Sequence, residues 1–149
     1  MGELFQPTHL LVLGLLVIFS SLIPKIFYIL TLSNVLNKCH PMVRKIEPGM
    51  CWLYIVPIVG IVWHFFMVAG VADSLGAEFY RRGTPSPDSR PAYSLGLACC
   101  ICGACSVLPL INLFTLPAQL VLWILYWVKI SEYSRRLDYM QPAMVFQGQ

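Results

Sequence analysis

Residues 51–72 are 22 consecutive positions without Asp, Glu, Lys or Arg. A helix needs roughly 20 mostly apolar residues to cross the hydrocarbon of a bilayer, so this stretch sets the environment in which the rest of the chain must fold. Pro48-Gly49 stops whatever precedes it. Trp52 and Tyr54 stand at one end and Phe79-Tyr80 beyond the other, near where interfacial aromatic belts belong. The stretch then runs out into Glu78, Arg81 and Arg82. Composition agrees: 58% of the 149 residues are hydrophobic and 11% charged, against about 25% charged in soluble domains. Mean hydropathy is +0.71. The net charge of +3 comes without a basic cluster interleaved with aromatics, which speaks against nucleic acid as a partner.

The first nine residues carry no Lys or Arg, and Ser20-Ser21-Leu22-Ile23-Pro24 offers no small-residue cleavage site. The first apolar run is therefore expected as a mature helix and not a signal peptide. Gln6 stands where a myristoylation motif needs Ser or Thr. Residues 10–36 would make a helix of about 40 Å, longer than the bilayer hydrocarbon, kinked or tilted at Pro24. Residues 37–49 read as a polar loop and 83–93, with three prolines, as an exposed linker. Residues 91–128 hold 38 positions free of Asp, Glu, Lys and Arg, two spans' worth, with Pro109, Asn112 and Pro117 marking the break.

The expectation is an all-α integral membrane domain over residues 1–149, with four transmembrane helices in two hairpins near 10–36, 51–80, 94–111 and 117–136 and an irregular tail over 137–149. Four spans put both termini on one side. Lys and Arg then count six on that side (Arg81, Arg82, Arg90, Lys129, Arg135, Arg136) and three on the other (Lys38, Arg44, Lys45). The positive-inside rule makes the termini cytoplasmic.

Two segments, Glu78-Phe79-Tyr80-Arg81-Arg82 and Glu132-Tyr133-Ser134-Arg135-Arg136, lie 54 residues apart. Glu precedes Arg at i+3 and i+4 in each, the favourable order on a helix, and each Arg pair falls at a helix end where the dipole favours cations. Duplication of a two-helix unit would produce this tandem repeat, and so would chance. The four arginines read as interface anchors, with a docking surface as the sharper alternative.

Cys99, Cys102 and Cys105 have the spacing of the first three ligands of an iron–sulfur run. The fourth ligand position is Pro109, and the segment has no His for a zinc site. Gly96, Cys100 and Ala104 fall on one helix face at four-residue intervals, as do Gly70 and Ser74 in the second span. Small residues so spaced let membrane helices approach closely, so packing is the plainer reading of the cysteines too. Cys39 and Cys51 would share one face and pair there if it is oxidising. His64, deep in the second span, is a weak candidate to bind haem or to carry protons, and otherwise a hydrogen-bonded packing residue. Lys25 either snorkels to the interface or meets a partner. Lys25, His64, Asp73 and Asn112 would form a polar path if they converged. No carboxylate pair, nucleophile elbow, metalloprotease motif or phosphate loop is present.

Pro48-Gly49-Met50-Cys51-Trp52-Leu53 followed by Val56-Pro57, Trp63-x-Phe65 and Ser74-Leu75-x-x-Glu78-Phe79-x-x-Arg82-Gly83 resembles a family of small bacterial multi-span membrane proteins. Leu95-Gly96, Leu108-Pro109-x-x-Asn112 and Trp123-Ile124-x-Tyr126-Trp127-Val128-Lys129-Ile130 extend the resemblance over most of residues 48–137. Gly60 departs from it, since the family usually carries Asn there. The resemblance implies a bacterial inner-membrane protein, brings no known activity and supplies no catalytic residues.

The expected role is non-catalytic and without a cofactor: a small accessory or scaffold subunit packing against other membrane proteins or itself in the lipid bilayer. A minimal oligomeric transporter or channel is the first alternative and a haem or metal redox subunit the second.

Overall fold

The structure is a computed structural model that describes residues 6–84, 86, 88–106 and 109–140, and only the backbone of residues 17–21, 57, 109, 110, 112, 113 and 116. The chain is all-α. Helix α1 spans Pro7–Lys38, α2 Pro57–Arg81, α3 Tyr93–Cys105 and α4 Pro109–Tyr139, with a 3-10 helix at Pro48–Ile55. Prolines open α1, α2 and the 3-10 helix, where the missing N–H has no helical partner to lose. Pro24 and Pro117 sit inside α1 and α4, which continue through them. The expected break at 112–117 therefore falls earlier. Helix α3 ends at Cys105 and α4 has already begun at Pro109.

The direction of the helices follows from their contacts. Lys38, at the end of α1, donates to Ser134 Oγ at 2.7 Å and pairs with Asp138 at 2.6 Å, both at the end of α4. Higher up, Trp127 Nε1 donates to Thr31 Oγ1 at 2.8 Å. Arg82, just past α2, donates to the Lys38 carbonyl at 3.2 Å. Helices α1, α2 and α4 thus run the same way. Helix α3 runs against them, its Gly96 facing Val68 and Tyr126 and its Gly103 facing Gln119.

A parallel α1 and α2 need a return connection, and residues 39–56 make it. The segment after α1 folds back over α2 along a stripe at i, i+4 and i+8. Glu78 Oε2 accepts the His40 N–H at 3.0 Å. Ser74 Oγ accepts the Lys45 N–H at 2.8 Å. At Gly70 an added Cβ would come 3.0 Å from Ile46 Cβ. The 3-10 helix continues the return. Trp63 Nε1 donates to the Met50 carbonyl at 2.8 Å, and the Tyr54 carbonyl lies so close to Gly60 that a Cβ there would collide with it. Glycine at 60 is thus required by a backbone approach.

The core is a seam through the bundle. Tyr28, Ile29, Leu32, Val35 and Leu36 of α1 meet Met67, Val68, Val71, Leu75 and Phe79 of α2 and Tyr126, Ile130, Tyr133 and Leu137 of α4. The three- and four-residue steps place each set on one helix face. The other faces are apolar too: Leu11, Leu16, Val62, Phe66, Val121 and Val128 are exposed, Leu11 by 67%.

These contacts overturn the four-span arrangement. Among the described residues only Ile58–Arg81, 24 residues, is long and apolar enough to cross a membrane, while Pro7–Leu16 and Tyr93–Cys105 are shorter apolar helices. Helix α3, with 13 residues, is about 20 Å long, short of a bilayer's hydrocarbon core. The second expected span, 51–80, is broken at Pro57 into a 3-10 helix and α2. The expected topology changes with it: α1 starts at the end of the bundle opposite to where α4 finishes, so the two-hairpin, same-side arrangement of the ends does not hold. The reason is physical. Residues 37–49 look like a hydrated loop, but two of their backbone N–H groups are satisfied by α2 side chains, which holds them against the bundle.

Candidate functional site

Where α1, the 3-10 helix, α2, α3 and α4 meet, a cavity of about 170 Å³ is lined by Lys25, Tyr54, His64, Cys100, Gly103 and Gln119, with Gly60, Ile61 and Ala104 completing it. The local sequence makes the space. Gly60 and Gly103 carry no side chain into it, and the Tyr54 carbonyl at Gly60 turns the Tyr54 ring toward α2.

Behind the Tyr54 and His64 of its lining, an aromatic cluster is centred on Tyr28. That ring lies 5.8 Å from Tyr54 and His64 and 5.9 Å from Trp123 and Tyr126, centroid to centroid. The Tyr28 hydroxyl and His64 Nε2 are hydrogen-bonded at 3.0 Å. His64, 4% exposed, also stacks against Tyr54 at 4.7 Å. Lys25 Nζ stands 5.9 Å from the Tyr54 ring centroid, at the outer range of a cation–π contact. It makes no hydrogen bond or ion pair among the described residues. Gln119 Nε2 donates to Cys99 Sγ at 3.3 Å, while its Oε1 is buried without a hydrogen-bond partner. The cavity thus offers one ammonium, one imidazole, a phenol and an unsatisfied amide oxygen. Among the described residues no carboxylate lines it, and the arrangement has the makings of a binding site.

Of the residues expected to form a polar path, Lys25 and His64 come together here. Asp73 does not: it holds Arg90 in a two-pronged pair at 2.6 and 2.9 Å on the surface, with the Arg90 guanidinium stacked 3.9 Å over Tyr93. The side chain of Asn112 lies outside the described residues. Tyr54, expected in an interfacial aromatic belt, and Gln119, given no role by the sequence, both belong to the cavity. Gln119 carries a signal, as the one Gln between residues 7 and 140, set within the charge-free run. Tyr54 carries none beyond its aromatic type.

The small residues are taken up within the bundle. Gly70 and Ser74 receive the returning segment, Gly96 fits between Val68 and Tyr126, and Cys100 and Ala104 line the cavity. Cys99 is buried, Cys102 and Cys105 half-buried, and no group of three His, Cys, Asp or Glu that could hold a metal occurs among the described residues. Cys39 and Cys51 are buried free thiols. Burial, with Glu78 nearby, pushes Cys39 up to about 12, and burial pushes Cys51 up to about 11. Neither has the depressed pKa of a reactive cysteine.

The two Glu-x-x-Arg-Arg copies diverge. Glu78 is fully buried and accepts from Arg81 at 2.6 and 3.1 Å and from Arg82 at 2.6 Å. Arg82 also donates to the carbonyls of Leu137 at 2.8 Å and Met140 at 2.9 Å, so this copy ties α1, α2 and α4 together. In the second copy Glu132 pairs at the surface with Arg136 at 2.6 Å and Lys129 at 3.6 Å, and Arg135 is exposed.

No family model matches the chain, and neither does any curated protein or solved structure. Fold and site together define an all-α protein with, among the described residues, one helix long and apolar enough to cross a membrane and a partly open polar cavity where its helices meet.

Proposed function

We propose that this chain is a non-catalytic helical membrane protein that holds a small solute in the cavity, a minimal binding unit of the carrier or sensor kind. One observation carries the reading: Lys25 and His64 converge from different helices on a single cavity, inside a bundle whose outer faces are large apolar side chains. An ionisable residue turned into an apolar bundle is costly and marks a ligand or ion path. A cavity with a few convergent polar groups is where a small molecule binds. Lipid accounts for the exposed Leu, Val and Phe of the outer faces. Lys38, Arg44, Lys45, Arg81, Arg82, Arg90, Arg135 and Arg136 gather at the end where α1, α2 and α4 finish. That end is the cytoplasmic one by the positive-inside rule.

An accessory role beside another membrane protein has one observation of its own. Residues Pro7–Leu16 expose every large side chain, and nothing lies within 4 Å of a Cβ placed at Gly14.

The test uses the protein in lipid nanodiscs, wild type against Ala104→Phe, which fills the cavity from α3. Thermal melts are run with panels of small neutral, cationic and anionic solutes. At least one class is expected to raise the wild-type midpoint and leave that of Ala104→Phe unchanged. Equal responses in the two proteins for every class contradict the reading. A protein co-purifying at fixed ratio in the same preparation supports the accessory role instead.

A further inference from the structure

We infer that the cavity takes a small organic monoanion bearing a hydroxyl, a hydroxy-monocarboxylate being the simplest member of the class. The inference rests on the solute-binding reading above and adds the ligand's chemistry to it.

Charge comes first. Among the described residues Lys25 is the one formally charged side chain lining the cavity, and it has no counter-ion there. Lys25 is half-buried, and an ammonium partly withdrawn from water without a partner is costly. A carboxylate beside it supplies both the opposite charge and acceptors for its hydrogens. One cation matches one negative charge, whereas a dianion would leave a net charge beside the Tyr54 ring and the apolar side chains of Ile61 and Ala104.

The hydroxyl follows from Gln119. Gln119 lines the same cavity from α4, and its Oε1 is buried and unpaired. An unsatisfied acceptor costs its desolvation until a donor arrives. The ligand must therefore bring an O–H or N–H as well as a carboxylate.

Size limits the rest. A volume of about 170 Å³ corresponds to roughly five or six waters at about 30 Å³ each. That space, partly open to the outside, matches a short organic acid.

The probes are lactate, propionate (no hydroxyl), lactamide (no charge) and sulfate (two charges), measured by equilibrium dialysis against the protein in phosphatidylcholine nanodiscs. Lactate is expected to bind at millimolar concentration, with propionate and lactamide each about tenfold weaker and sulfate weaker still. Lys25→Met abolishes lactate binding and Lys25→Arg restores part of it. Gln119→Leu makes lactate and propionate equal, a comparison that holds the inference to account even if Lys25→Met does not fold. Lactamide binding as well as lactate, sulfate binding better than lactate, or full lactate affinity in Lys25→Met overturns the ligand class and leaves the solute-binding reading standing. Loss of lactate binding in phosphatidylglycerol nanodiscs assigns Lys25 to lipid and also overturns the class. Absence of binding by every probe, together with no effect of Ala104→Phe on any solute, overturns both.

Discussion

Replacing Glu78 with alanine is expected to destabilise the fold by about 3–5 kcal/mol, the cost of removing one partner from a buried ion pair. Glu78 is 0% exposed and meets three donors: the His40 N–H, Arg81 and Arg82. Without it the His40 N–H loses its acceptor. The Arg82 guanidinium, 10% exposed, keeps only carbonyls around its charge. The damage spreads because Arg82 links the ends of α1 and α4 to α2. Denaturant unfolding in mild detergent reads the loss as a fall in midpoint at unchanged slope. Glu132→Ala is the matched control. It has the same sequence motif, but its pair lies at the surface, and exposed pairs contribute little. Its midpoint should not move. Equal effects of the two substitutions would mean that the Glu78 cluster does not organise the helix ends.

Gly96→Val should also be damaging. A Cβ alone at residue 96 collides with Val68 Cγ1 and comes 2.7 Å from Tyr126 Cε2. Both neighbours are buried, Val68 and Tyr126 each 1% exposed, so neither can swing aside. Overpacking of this kind costs about 1–3 kcal/mol or more, and here it wedges α3 away from α2 and α4 together. The expected readout is a lower thermal midpoint and loss of solute retention, because α3 carries Cys100, Gly103 and Ala104 of the cavity wall. Gly14→Ala gives the opposite sign. Nothing lies within 4 Å of its Cβ, and alanine for glycine in an open helix position stabilises by about 0.5–1 kcal/mol. A neutral Gly96→Val would contradict the close packing of the three helices.

The helical class is legible in the sequence because its apolar runs are long and free of charge. Glu78 with Arg81 and Arg82 is legible as a local motif at i+3 and i+4. Its burial is not, since the same letters at Glu132 stay on the surface. The connectivity is hidden for a related reason. Charged and proline-marked residues 37–49 carry every local sign of a solvent-facing loop. What holds them is the reach of Ser74 and Glu78 side chains across 29 and 38 positions of sequence. Counting Lys and Arg loop by loop then separates Lys45 from Arg81, which the fold brings to one end. The start of α4 is misplaced because Pro117 reads as the opening of the fourth span, whereas Pro109 already opens the helix and Pro117 lies inside it. In the site, Lys25 and His64 stand out as polar letters in apolar runs. Their meeting depends on a parallel α1 and α2 that no local pattern encodes.

The most direct test is the sidedness of the segment between α1 and the 3-10 helix. Single cysteines are placed at Lys45 or Arg81 in a background lacking the six native cysteines, and oriented membrane vesicles are treated with a membrane-impermeant maleimide. Because Lys45 lies against Ser74, one turn from Glu78 on α2, both positions are predicted to label from the same side of the membrane. Labelling of Lys45→Cys from one side and Arg81→Cys from the other would contradict the returning segment, and with it the parallel helices that bring Lys25 to His64.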